Sequence, residues 1–158
     1  GVDGGALRAS LAEAAAGRVA SALVADDEHT LEVSVAGAGR WVVRSWNREW
    51  TGGPDGVRCW HLIPAGGAAE VPSGRPDGWV HPVVGMLRPD LLPVWGRGED
   101  DYEPIRVVEG LFGPAQVVLG RAGDDEAVGT LHLDARRWLC TALELPGQSW
   151  TMTQFTSP

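Results

Sequence analysis

The chain contains no lysine: all 13 of its basic residues are arginine. That removes the phosphate loop Gly-x-x-x-x-Gly-Lys-Ser/Thr, whose lysine reaches the nucleotide's terminal phosphates. Isoleucine occurs only at Ile63 and Ile105, phenylalanine twice and asparagine once, at Asn47. Beside abundant Ala, Gly, Val and Arg, these gaps are what a GC-rich bacterial genome produces. The excess of arginine is therefore no argument for anion recognition by itself. There are two cysteines, Cys59 and Cys140, both in apolar, strand-like runs. They read as buried reduced thiols, with one disulfide open to them if their strands are neighbours. No apolar run approaches the roughly 20 residues of a membrane-spanning helix, and no signal peptide is visible. The expected location is cytoplasmic. A start on Gly1 rather than Met is what a processed form or an excised piece would have.

Motifs of familiar enzymes are missing as well. No Gly-x-Gly-x-x-Gly opens a helix after a strand, and no Gly-x-Ser-x-Gly elbow occurs. The histidines His29, His61, His81 and His132 form no HxxxH or HExxH pair, and the cysteines no Cys-x-x-Cys. Neither a metal nor a cofactor is called for. The net charge is -8, which disfavours nucleic acid and anionic membrane surfaces as partners.

What is there suits one domain over residues 1–158, with ordinary apolar and charged content. After a flexible start, Gly1 to Gly5, apolar residues every four positions predict a helix from about Ala6 to Val24, capped by Ser10 or Asp3. Alternation predicts strands over Thr30–Val35, Arg40–Trp46 and Val57–Ile63, a first meander. Residues 65–103 are proline-rich yet apolar, and read as an ordered, loop-rich insert with a short helix near Pro89 to Val94. Pro104 to Phe112 suits a short helix or a strand. Gln116–Arg121, Gly129–Asp134, Arg137–Leu145 and Ser149–Phe155 form a second meander. The expected class is α+β, an N-terminal helix packed on antiparallel sheet; a small β-barrel with the helix as lid is the alternative.

The two meanders share a pattern. Thr30-Leu31 parallels Thr130-Leu131, Arg40-Trp41 parallels Arg137-Trp138, and Trp60 parallels Trp150. This suggests half-repeats, residues 6–64 and 104–158, related by a pseudo-twofold.

Eight tryptophans are the most unusual feature. Most can be explained as core volume in a chain poor in Phe and Ile. Trp46 and Trp50 are harder to bury together, because they flank Asn47-Arg48-Glu49 beside the Gly52-Gly53-Pro54-Asp55-Gly56 turn. Trp79 and Trp95 stand in or beside the insert. Trp46, Arg48, Trp50, Trp79 and Trp95 are accordingly the candidate binding residues. The first functional expectation is a non-enzymatic protein- or peptide-binding adaptor, chaperone-like, with Trp anchors, Arg48 and the acidic loop Glu99–Glu103 at its rim. The second is a small-molecule binder or cofactor-independent cyclase or isomerase of secondary metabolism. There His61, Glu103 or His132 would move protons in a Trp-lined pocket, and a Cys–His pair on Cys59 or Cys140 is a further option. A homodimer is left open.

Overall fold

The computed structural model describes residues 3–158. A helix, α1 (Gly4–Ala15), is followed by β1 (Ala20–Ala25), β2 (Thr30–Ala36), β3 (Arg40–Arg44), β4 (Arg48–Gly52), β5 (Arg58–Leu62) and β6 (Ala68–Val71). Two short 3-10 helices, Pro82–Met86 and Pro89–Leu91, lie in the connection to β7 (Tyr102–Gly110). Then come β8 (Gly113–Arg121), β9 (Ala127–Asp134), β10 (Leu139–Leu145) and β11 (Gln148–Thr156). All eleven strands form one antiparallel sheet in the order β6-β5-β4-β3-β2-β1-β11-β10-β9-β8-β7. The sheet is open, with edges at β6 and β7, and does not close into a barrel.

The chain starts at the sheet's centre, winds out to β6, crosses to β7 and winds back until β11 pairs with β1. The crossing, residues 72–101, is the loop-rich insert. It must travel from one edge to the other, ten strand spacings of about 4.8 Å, or roughly 48 Å along the sheet. It does so over one face. Val83, Val84, Met86, Leu87, Leu92, Val94 and Trp95 are buried there together with Leu11 of α1. Beneath them lie the alternate residues of the strands: Val24, Val33, Val43, Val117, Leu119, Leu131 and Leu143. A buried side chain of this size contributes about 1.5–3 kcal/mol, so an insert that looks irregular locally supplies seven of the 22 residues of the buried core. The other face is left to Ser21, Glu32, Arg44, Arg58, Glu70 and Glu144, all exposed.

The predicted helix over Ala6–Val24 is corrected to Gly4–Ala15. Gly17 adopts φ 70° and breaks it. Beyond it Ala20, Ala22 and Val24 are buried while Ser21 is exposed, a strand period of two that the four-residue spacing had masked. The cap is Asp3, whose carboxylate accepts from the Ala6 N–H at 2.9 Å. Ser10 sits inside the helix and donates to the Ala6 carbonyl. Of the expected flexible start, Gly1 and Val2 lie outside the described residues. The third predicted strand is met by β5, and β4 and β6 are additional. The expected helix near Pro89–Val94 is one turn, Pro89–Leu91, preceded by another at Pro82–Met86. Pro104–Phe112 belongs to strand β7 and its turn.

Both halves wind across the sheet in the same lateral direction, and β2 and β9 run the same way. The hairpins β2–β3 and β9–β10 are therefore related by a shift along the sheet, not by the pseudo-twofold expected above. Trp41 is a buried strand residue, whereas Trp138 occupies a turn at φ 55°. Trp60 and Trp150 stand on opposite faces, Trp60 opposite Glu49 and Glu70, Trp150 opposite the buried Leu143.

Arg18 ties these parts together. Its guanidinium donates to the carbonyls of Leu87 (2.7 Å), Trp138 (3.1 Å) and Arg137. One side chain thus joins the start of β1 to the crossing and to the β9–β10 turn, and holds the left-handed Trp138 peptide. Burial lowers the Arg18 pKa from its ordinary value.

Candidate functional site

The β3–β4 hairpin is closed by Ser45 N–H donating to the Arg48 carbonyl at 2.8 Å. The Ser45 hydroxyl donates to Asn47 Oδ1 at 3.0 Å, and Leu62 N–H donates to the Asn47 carbonyl. Trp46 and Asn47 are left at the tip, where Trp46 is 78% exposed. Strand alternation then turns Arg48, Trp50 and Gly52 to the covered face, and Glu49 and Thr51 to the other.

The crossing passes in front of this hairpin and lays Trp79 and His81 against it. Trp50 and Trp79 have ring centroids 5.2 Å apart, Trp79 and His81 5.6 Å, and Trp50 and His81 6.4 Å. Behind them Trp41 meets Trp79 edge-on at 5.9 Å. Trp41 can lie flat there because β4 offers Gly52 opposite it. A Cβ on Gly52 would fall 2.1 Å from the Trp41 ring. Trp41 is therefore a wedge that sets the height of the aromatic stack.

Between stack and hairpin lies an open cleft of about 320 Å³ lined by Leu31, Val43, Ser45, Asn47, Arg48, Trp50 and His81. Arg48 places its guanidinium 5.8 Å from the Trp50 ring centroid and donates to His61 Nε2 at 3.1 Å. Arg75 stands over Trp79 at 4.8 Å. His81 Nδ1 accepts from the Val83 N–H at 3.2 Å and so caps the first 3-10 helix. Burial, and secondarily the charge of Arg75, push the His81 pKa down to about 4. At neutral pH His81 is thus uncharged, and the proton of its ring is on Nε2.

Trp46, Arg48, Trp50, Trp79 and His61 are brought to one end of the β3–β4–β5 wing. The other candidates are elsewhere. Trp95 is 5% exposed and donates from Nε1 to the Pro89 carbonyl at 2.9 Å, a core residue beneath the second 3-10 turn. Glu103, on the edge strand β7, accepts from the Gly123 N–H. His132 is on the uncovered face of β9, 3.3 Å from Glu144. His61 and His132 are seven strands apart, roughly 34 Å along the sheet, and on opposite faces. No common site joins His61, Glu103 and His132. In the acidic loop, Asp100 turns inward and accepts from Arg97 Nε at 2.8 Å and from the N–H groups of Trp95 and Arg97. Cys59 and Cys140 are free, buried and six strands apart, so they do not pair. Burial raises both thiol pKa values, which leaves neither as a ready nucleophile.

His81 is the residue the sequence reading left out. Its only local signal is the run Trp79-Val80-His81-Pro82, in which an aromatic and a potential cap precede a helix-starting proline. The uncovered face carries a second depression over β1, β2, β3 and β11, bordered by Glu32, Arg44 and Glu49. There Arg44 and Glu49 already face each other at 3.9 Å. Among the described residues no helix is long and apolar enough to cross a membrane. The chain matches no known family model and no curated protein.

Proposed function

We propose that this chain is a non-enzymatic protein- or peptide-binding module of adaptor or chaperone-like type, and that it binds through the Trp50–Trp79–His81 cleft with Trp46 as an exposed anchor at its rim. The observation that carries this reading is an open cleft lined by Ser45 and Asn47, with Trp46 between them at the hairpin tip standing 78% in solvent. Indoles that become buried on association dominate many interfaces, and an exposed one costs the free protein stability it could otherwise gain. The enzyme reading finds less support. It rests on His61, Glu103 and His132 sharing one site, and they are dispersed over both faces; His81, which does line the cleft, has Nδ1 committed to the Val83 N–H.

The test is affinity capture from the native host with the wild-type chain, Trp46→Ala and Trp50→Ala, followed by measured binding of the purified partner. Trp60→Ala, on the uncovered face, is the control. Losses of about tenfold or more for the first two variants, with the control unchanged, are expected for hot-spot residues. Equal binding by Trp46→Ala and the wild type would sink the assignment of the site.

A further inference from the structure

The inference here rests on the binding reading above and concerns the chemistry of what is bound. We propose that the cleft recognises a carboxylate side chain, an Asp or Glu within a linear peptide segment, with an adjacent apolar residue laid on Trp50. Five arginines, Arg44, Arg58, Arg88, Arg97 and Arg137, have a carboxylate within ion-pair distance. The other eight have none among the described residues, and of these Arg48 and Arg75 are the two at the aromatic stack. They rest on the Trp50 and Trp79 rings instead, an arrangement that positions a guanidinium without neutralising it. Two uncompensated charges in a molecule of net charge -8 thus flank the same aromatic stack.

The neutral groups point to the same complement. His81 uses Nδ1 to accept from the Val83 N–H, so its Nε2 is a donor, and no partner for it is found among the described residues. Asn47 uses its Oδ1 to accept from Ser45, and its amide hydrogens have no partner among the described residues. Arg48 adds a guanidinium whose one hydrogen-bond partner among the described residues is His61. Of the polar side chains lining the cleft, Arg48, Asn47 and His81 therefore offer hydrogens, and only the Ser45 hydroxyl, its proton given to Asn47, is left with lone pairs. A carboxylate, acceptor-only with about four lone-pair sites, is what such a set fits. Leu31 and Val43 on the floor and the Trp50 face supply an apolar bed beside it. The acidic remainder of the surface would repel a uniformly acidic chain, so the recognised segment carries its carboxylate among apolar residues.

A random linear-peptide display library, panned on the full chain, tests this. The enriched peptides should contain an Asp or Glu beside a large apolar residue and should require Trp50. Replacing that acid by its amide, or Arg48 by Gln, should each weaken binding by about tenfold, with little further loss on combining the two, and added salt should weaken the wild-type complex. Peptides that require Trp50 but lack an acid, and ignore Arg48→Gln, would overturn the carboxylate proposal and leave the binding reading standing. Loss of binding on amidating only the peptide's C-terminus would place the carboxylate at a chain end and overturn the side-chain form. No enriched peptide, or none sensitive to Trp46→Ala or Trp50→Ala, would count against both.

Discussion

Gly52→Ala isolates the wedge beneath the aromatic stack. Gly52 ends strand β4, and replacing a strand glycine by alanine where space allows adds stability, about 0.5–1 kcal/mol. Here the new methyl would sit 2.1–2.3 Å from three atoms of the Trp41 indole. Ordinary contact is about 3.5–4.0 Å, so ring and strand must separate by about 1.5 Å. Trp41 is 4% exposed and its ring edge meets Trp79, so displacement drives it into the stack that walls the cleft. Overpacking of this kind costs about 1–3 kcal/mol, and disturbing an aromatic pair about 0.5–1.5 kcal/mol. The net expectation is a loss of about 2–3 kcal/mol, or roughly 4–12 °C in Tm for a chain of this length. Urea and thermal unfolding measure it, and near-ultraviolet circular dichroism should change because Trp41, Trp50 and Trp79 move together. In a Trp41→Leu background the same Gly52→Ala change should be neutral to stabilising, by up to about 1 kcal/mol. A Gly52→Ala protein as stable as the wild type would refute the argument that Trp41 occupies the space over Gly52.

Arg18→Met should destabilise by about 2–4 kcal/mol, since three carbonyls lose a charged donor; Arg18→Lys should recover only part, because an ammonium cannot reproduce the fork, and full recovery in urea unfolding would show that charge alone matters. His81 should make stability pH-dependent. Its folded pKa, about 4, lies below the ordinary 6.5, so between these values the unfolded chain binds more protons. The stabilisation is complete above pH 6.5 and is lost as pH falls through 4, by up to about 3 kcal/mol. His81→Gln should flatten the urea-unfolding profile in that window, and an unchanged slope would rule His81 out as its source. Both thiols should resist a thiol reagent at neutral pH until the chain unfolds; rapid modification of either in the folded protein would contradict its burial. Trp46→Ala should leave Tm within the range of ordinary surface substitutions, about ±0.5 kcal/mol, so that any loss of binding is not a folding defect.

The legible parts of this fold are those where alternation is clean. Leu31, Val33 and Val35 announce β2, and Leu131 and Leu133 announce β9. Arg48–Gly52 was not legible as a strand, because its one large apolar residue is Trp50 and its partner positions are Arg48 and Gly52, whose burial depends on neighbours from elsewhere. The helix overran for a related reason. Val19 and Leu23 fit a four-residue spacing, and only the left-handed Gly17 and the burial of Ala20, Ala22 and Val24 reveal a central strand. At the site, Trp46, Arg48 and Trp50 could be singled out from their crowding beside a turn. Trp79 could be suspected but not placed, and His81 carried no distinguishing pattern.

By itself the sequence determined the kind of molecule: antiparallel sheet, a single N-terminal helix, an apolar insert too hydrophobic to be a linker, and tryptophan in place of phenylalanine. Those properties are local, set by side-chain period, turn residues and composition. Tertiary structure alone decided which strands are neighbours, which face the insert covers, and that Trp79 and His81 meet Trp50. These contacts join residues about thirty positions apart through a crossing that starts at one edge of the sheet and ends at the other. No periodicity encodes such a meeting, because it follows from where the whole crossing finds apolar surface to bury.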